Sequence, residues 1–225
     1  MSVLVFGSLN LDLVTYADKL PAIGETIVGE KLLKFPGGKG LNQAIAARRA
    51  GSEVLMVGSI GNDADGDYLF DILKSENIDP KFITKTSEQT GIAVIEVSKS
   101  AENRIIIIAG ANSKTRFSNE VLTSSPSVTV SLAQLETPII EVARFIHESK
   151  AAGKITILNP APIQKLDEAL LQDTDYLIAN ETEASFLVGK AVEHLSKDEA
   201  LMIARQLQKN VAKKVIITLG AQGSS

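Results

Sequence analysis

The chain has 225 residues, with 23 Lys and Arg against 27 Asp and Glu, a formal charge of −4 at neutral pH. A mildly acidic chain lacks the basic excess that drives counterion release from nucleic acid, which excludes nucleic acid as a main partner. It contains no Cys, so disulfides, thiolate zinc sites, iron–sulfur clusters and thiol nucleophiles are all excluded, and its two His, His147 and His194, are too far apart in sequence for a paired-His metal motif.

The N-terminal run MSVLVFGSLNLDLV has no basic region before its apolar stretch, and no apolar run approaches the roughly 18 residues of a membrane span. A soluble, cytoplasmic protein with no membrane partner is predicted. In chain order, apolar runs bounded by turn residues alternate with helical periodicity. A strand over 3–9 is followed by a helix over 41–50, a strand over 54–60 and a helix over 68–75. The alternation resumes with strands over 128–132, 155–158, 176–178 and 215–219, and helices over 139–150, 181–188 and 198–209. Repeated βα units with nearly continuous apolar strands predict an α/β fold, a Rossmann-like, mostly parallel sheet with helices on both faces. Functional groups then gather at the C-terminal ends of the strands.

Two stretches interrupt this rhythm, 26–35 and 91–109. In the second, two β-like runs flank the polar loop 98–103, a hairpin pattern. Strands without helices beside them form either a small separate sheet, able to act as a lid, or an antiparallel extension of the main sheet.

Four motifs can carry chemistry. In GSLNLD, Asn10 and Asp12 are two apart and share one face of extended backbone, where an amide and a carboxylate can bind hydroxyls; taken alone the segment also reads as a turn. PGGKGLNQ, over 36–43, places three glycines and Lys39 at a helix start, where free N–H groups can meet an oxygen or phosphate, although it is neither GxGxxG nor a Walker A loop. NETE, over 180–183, is a capping box in which Asn180 and Glu183 can instead face phosphate and magnesium. ITLGAQG, over 217–223, is either a tight turn or a close approach to a ligand; the QLE and NPAP segments also follow strands.

Together and in this order, GSLNLD, PGGKGLNQA, AENRIIIIAGAN, QLE, NPAP, NETEA and ITLGAQG resemble the PfkB family of carbohydrate kinases, over the whole span from Val3 to Gly223. The GKGxNQA form with NPAP and NETEA is most similar to the branch acting on D-ribose, ahead of fructokinase-like and nucleoside kinase branches. The resemblance implies transfer of the ATP γ-phosphoryl group to the ribose 5-hydroxyl. It further implies a β-sheet lid from segments of about 13–35 and 91–109, and a homodimer formed through that lid. By motif position, Asn10, Leu11, Asp12, Gly38, Lys39, Gly40, Leu41, Asn42 and Glu136 would hold the sugar. Asn180, Thr218, Leu219, Gly220, Ala221, Gln222 and Gly223 would line the ATP site, with Glu183 toward Mg2+.

The sequence departs from the family pattern at its end. Family members continue into a GAGD-type signature whose helix start forms an anion hole and whose Asp is the catalytic base, with the K+ site nearby; these 225 residues contain no GAGD. The resemblance therefore implies a C-terminally incomplete domain, inactive or severely impaired in turnover, because phosphoryl transfer rests on positioning and charge stabilisation. The alternatives are another sugar kinase of the family, fructokinase-like, and a non-catalytic sugar-binding dimer.

Overall fold

The computed structural model describes residues 1–190, 194–209, 211 and 213–225. The chain runs β1 (Ser2–Phe6), β2 (Asn10–Ala17), β3 (Lys31–Gly37), α1 (Lys39–Arg49), β4 (Glu53–Gly61), α2 (Ala64–Ser75), β5 (Ile83–Thr86), β6 (Gly91–Ser98) and β7 (Asn103–Ile108). It continues with α3 (Glu120–Thr123), β8 (Val130–Ala133), α4 (Ile139–Ala151), β9 (Ile155–Leu158), α5 (Glu168–Gln172), β10 (Tyr176–Asn180), α6 (Glu181–Leu187), α7 (Lys197–Gln208) and β11 (Lys214–Thr218).

Seven strands form one sheet in the order β11-β10-β9-β8-β1-β4-β5, and every neighbouring pair is parallel. Side chains alternate across it as the strand period requires. Val3, Val5 and Met56 pack with Leu41 and Ala44 of α1 and Leu69 and Leu73 of α2. On the opposite face Leu4, Phe6, Leu158 and Leu177 meet Val142, Phe145 and Ile146 of α4 and Ile203 of α7. Phe6 stacks on Phe145 at 5.2 Å between ring centroids, and Phe117 closes the group edge-on. The sheet is thus covered by helices on both faces, as the alternation predicts.

The interrupting stretches form a second, four-stranded sheet ordered β3-β2-β6-β7, with β2–β6 parallel and the outer pairs antiparallel. They do not extend the main sheet. This small sheet starts at Asn10, earlier than position 13, and its second strand pairs only from Lys31, opposite Tyr16. The edge strand β5 went unpredicted because four residues reading Ile-Thr-Lys-Thr carry no periodic signal. The chain crosses between the sheets at 7–9, 38, 87–90 and 109, and the candidate residues of 10–12 and 38–42 lie at the first two crossings.

Candidate active site

From β1 the chain works outward through β4 and β5, then returns to place β8 on the other side of β1. Strand order reverses between β1 and β8, and the crevice beyond the carboxyl ends of strands at such a reversal is where open α/β sheets bind ligands. Ser8, just after β1, donates its Oγ–H to Glu136 Oε2, just after β8, at 2.5 Å. Glu136 Oε2 also accepts the Lys39 backbone N–H at 2.9 Å, and Ser8 Oγ accepts that of Gly40 at 3.2 Å. The Leu41 N–H goes to the Ser8 carbonyl at 2.9 Å. The first N–H groups of α1, expected from sequence to be free for an anion, are therefore already taken. Glu136 is the carboxylate that the helix start binds.

The packing of α1 onto this turn needs its glycines. A Cβ on Gly40 would lie 2.5 Å from Ser8 N, and Gly38 holds φ at +89° as the residue preceding the helix. Above the turn, Asn10 and Asp12 stand two apart on β2, paired with Gly37 and Phe35 of β3. The Lys39 ammonium lies 3.9 Å from Glu136 Oε1. Burial, and then the nearby Glu136 carboxylate, push the Asp12 carboxyl up to about 6 against the opposing pull of Lys39. Two carboxylates, an amide and an ammonium converging on one spot can bind several hydroxyls at once, with acceptors and donors both present.

A cavity of about 470 Å³ opens beside this group, lined by Lys39 and Gln43 at one end and by Asn180, Glu183 and Thr218 at the other, over Leu132, Ile157 and Ile178. Asn180 and Glu183 form the capping box read in the sequence. The Glu183 N–H donates to Asn180 Oδ1 at 2.8 Å, and the Glu183 carboxylate accepts the Asn180 N–H at 2.9 Å. Among the described residues no group of three or more His, Cys, Asp or Glu side chains could hold a metal ion. Glu183 nevertheless suits a Mg2+ ion carried by phosphates, which uses only one or two protein carboxylates, because its hydrogen bonds fix the carboxylate at the cavity wall while leaving lone pairs.

Not every predicted site residue is at the site. Leu11 and Leu41 are buried, Leu41 within the core cluster, so their side chains pack inside the protein. Of the segment 218–223, Thr218 alone lines the cavity. Leu219 belongs to the core, and Gly220 to Gly223 form an exposed turn closed by Leu219 N–H to Gly223 O at 2.8 Å. The segment forms a tight turn there, in which the chain folds back so that Ser225 pairs with Ile217.

The structure also adds residues that sequence reasoning passed over. Asn159 Nδ2 donates to the Ile178 carbonyl at 2.9 Å, Gln43 Nε2 to Asn159 Oδ1 at 3.3 Å, and Gln134 Nε2 to Gln43 Oε1 at 2.5 Å. This row of amides runs along the strand ends from β8 to β10. Ser8, Gln134 and Asn159 each follow a strand, and Gln43 lies one helical turn beyond Lys39, so the positional signal existed. Asn112 ends the AENRIIIIAGAN motif, but nothing local to it points to its partner.

A helix-covered parallel sheet with a polar cluster and an adjoining cavity at its strand ends is the architecture of a small-molecule-binding α/β protein. The family model "pfkB family carbohydrate kinase" matches residues 1–225, and the chain belongs to that family. It is similar to the ribokinase of Haemophilus influenzae, 38% identical over 97% of this chain and 72% of that protein. It is also similar to the ribokinase of Staphylococcus aureus, 36% identical over 99% of this chain and 74% of the relative. Among solved structures, Arabidopsis thaliana ribokinase complexed with ribose and ATP superposes with a TM-score of 0.87 at 30% identity, covering 99% of this chain and 73% of that one.

Proposed function

We propose that the chain acts as a ribokinase-type sugar kinase unit, holding D-ribose at Asn10, Asp12, Gly38, Lys39, Asn42 and Glu136 beneath the small sheet. In the reaction the ribose 5-hydroxyl oxygen bonds to the γ-phosphorus of ATP, the bond to the β-phosphate bridging oxygen breaks, and ADP, ribose 5-phosphate and a proton result. The observation that carries this reading is the cavity running from Lys39 and Gln43 to Asn180, Glu183 and Thr218, with Lys39 at its edge also 3.9 Å from Glu136 Oε1 in the neighbouring polar cluster. The ribose and ATP bound by the Arabidopsis relative support it.

Asp12 and Glu136 accept hydrogen bonds from sugar hydroxyls, Asn10 donates, and Lys39 bridges the two halves of the site as a cation. Their contribution is orientation, which converts an encounter of two substrates into an alignment within one cleft. Asn180 and Thr218 offer polar contacts to phosphate oxygens. Glu183 would hold Mg2+, which when bound neutralises charge on the phosphates. None of these groups stands in the GAGD context of the family's base, so their proposed role is to bind and orient the sugar. The small sheet serves as the lid, and its exposed strand β7 as the surface through which two chains dimerise. A chain without Cys suits the reducing cytoplasm. Among the described residues no helix is long and apolar enough to cross a membrane.

Calorimetric titration of D-ribose, followed by a coupled assay for ADP, tests the reading. Saturable ribose binding with fructose and adenosine much weaker is the expected result. Equal binding of all three, or of none, would overturn it.

A further inference from the structure

The sequence AGAN ends the hairpin motif, and the proposed sugar site gives its Asn112 no role. Its side chain is buried, as is that of Asn10. Asn112 Oδ1 accepts the Leu9 N–H at 2.9 Å, while its Nδ2 donates to the Leu9 carbonyl at 3.0 Å and to Asn10 Oδ1 at 2.7 Å. The backbone settles which way these amides point. A backbone N–H can only donate and a carbonyl only accept, so Asn112 must turn its oxygen to the Leu9 N–H and its nitrogen to the Leu9 oxygen. The second N–H of Asn112 then points at Asn10, and Asn10 must answer with its oxygen. Among the described residues the Asn10 Nδ2 has no hydrogen-bond partner, so it remains a donor for a ligand.

The contact also joins three segments at the base of the small sheet. Asn10 opens β2, Gly91 opens β6 opposite it, and Asn112 lies just beyond β7. A Cβ on Gly91 would strike both Asn112 Nδ2 and Asn10 Oδ1, so only glycine at 91 leaves room for the pair.

We infer that Asn112 is a positioning residue for sugar recognition: it fixes the Asn10 amide so that a nitrogen donor, and never the oxygen, faces the sugar. This inference rests on the proposed sugar site. In the Asn112→Asp variant one carboxylate oxygen still accepts from Leu9 N–H, but the other would face the Leu9 and Asn10 oxygens. Asn10 then turns over, donates to the introduced carboxylate and shows its oxygen to the ligand.

Two measurements test the inference. In wild-type protein, side-chain amide exchange followed by NMR should be faster for Asn10 than for Asn112, whose two amide protons are both bonded; in Asn112→Asp the Asn10 amide should become slower than in wild type. Asn10 amide protons at least as protected as those of Asn112 in the wild type would overturn the inference, and that measurement needs no variant to fold. Calorimetry of ribose and its monodeoxy analogues should then show ribose affinity about tenfold weaker in Asn112→Asp, with one deoxy sugar unaffected because it already lacks the hydroxyl that Asn10 meets. An equal loss for every sugar, or none for ribose, would overturn the inference by leaving Asn112 merely structural. Wild-type protein that binds none of these sugars would reject the sugar reading itself, and the exchange rates alone would then decide how Asn10 points.

Discussion

Ser8 and Glu136, 128 positions apart, meet through a 2.5 Å hydrogen bond across the reversal of strand order. The bond closes a small network in which one carboxylate receives a hydroxyl and the first N–H of α1, so the Glu136 carboxylate, proposed above to bind the sugar, is held in place by the protein itself. Replacing Ser8 by Ala removes the donor to Glu136 and leaves the Gly40 N–H without its acceptor. The expected result is a loss of about 1–3 kcal/mol in stability, read by chemical denaturation. Ribose affinity should fall with it in calorimetry, and unchanged affinity would show that Glu136 is held by Lys39 alone.

The raised Asp12 carboxyl makes a pH prediction with a definite sign. Because its folded value, about 6, lies above the ordinary value of 3.8, protonated Asp12 favours the folded state. That contribution is complete below 3.8 and is lost as pH rises through 6. Asp12→Asn should therefore melt higher than wild type at about pH 7.5 and alike near pH 4. Ribose binding should run the opposite way, because ionised Asp12 is the better acceptor: wild-type affinity should rise between about pH 5 and 7, and Asp12→Asn should show no such rise.

Far from the site, buried Asp175 meets Lys150, Lys213 Nζ at 3.1 Å and the Thr156 N–H at 3.0 Å. Burial alone would raise its carboxyl, but the Lys150, Thr156 and Lys213 bonds outweigh that and hold it below the ordinary range. Its stabilising contribution is thus present above the unfolded value of 3.8 and disappears as pH falls through the lower folded value. Asp175→Asn should cost about 2 kcal/mol at pH 7 by denaturant unfolding and converge with wild type in strong acid. An equal cost at both extremes would show that packing, and not charge, carries the effect.

The exposed strand β7 presents Ile105, Ile106, Ile107 and Ile108 to solvent, beside an edge that no other strand covers among the described residues. Ile106→Lys should change intrinsic stability by no more than about 0.5 kcal/mol, as surface substitutions do. Light scattering should show the wild type at twice the chain mass and the variant at the chain mass. A monomeric wild type would remove the dimer from the proposed function.

The sequence by itself determined the main alternation of strands and helices, though not the short β5, α3 and α5, because a long βα unit writes its burial into local periodicity: α4 is predicted over 139–150 and found over Ile139–Ala151, and β9 over 155–158 is found unchanged. It also determined that Asn10, Asp12, Lys39, Glu136 and Asn180 lie at strand ends or helix starts, and that Asn180 and Glu183 cap a helix, since a capping box is complete within four residues. Only the tertiary structure decided that the helix-free strands form their own sheet, that the first N–H groups of α1 are spent on Ser8 and Glu136, and that of 218–223 only Thr218 lines the cavity. The same holds for Asn112, which reaches Asn10 across 102 positions. Local pattern reports which face of an element is buried, whereas the partner of a polar group depends on strand register and sheet order, which are set when distant segments pack.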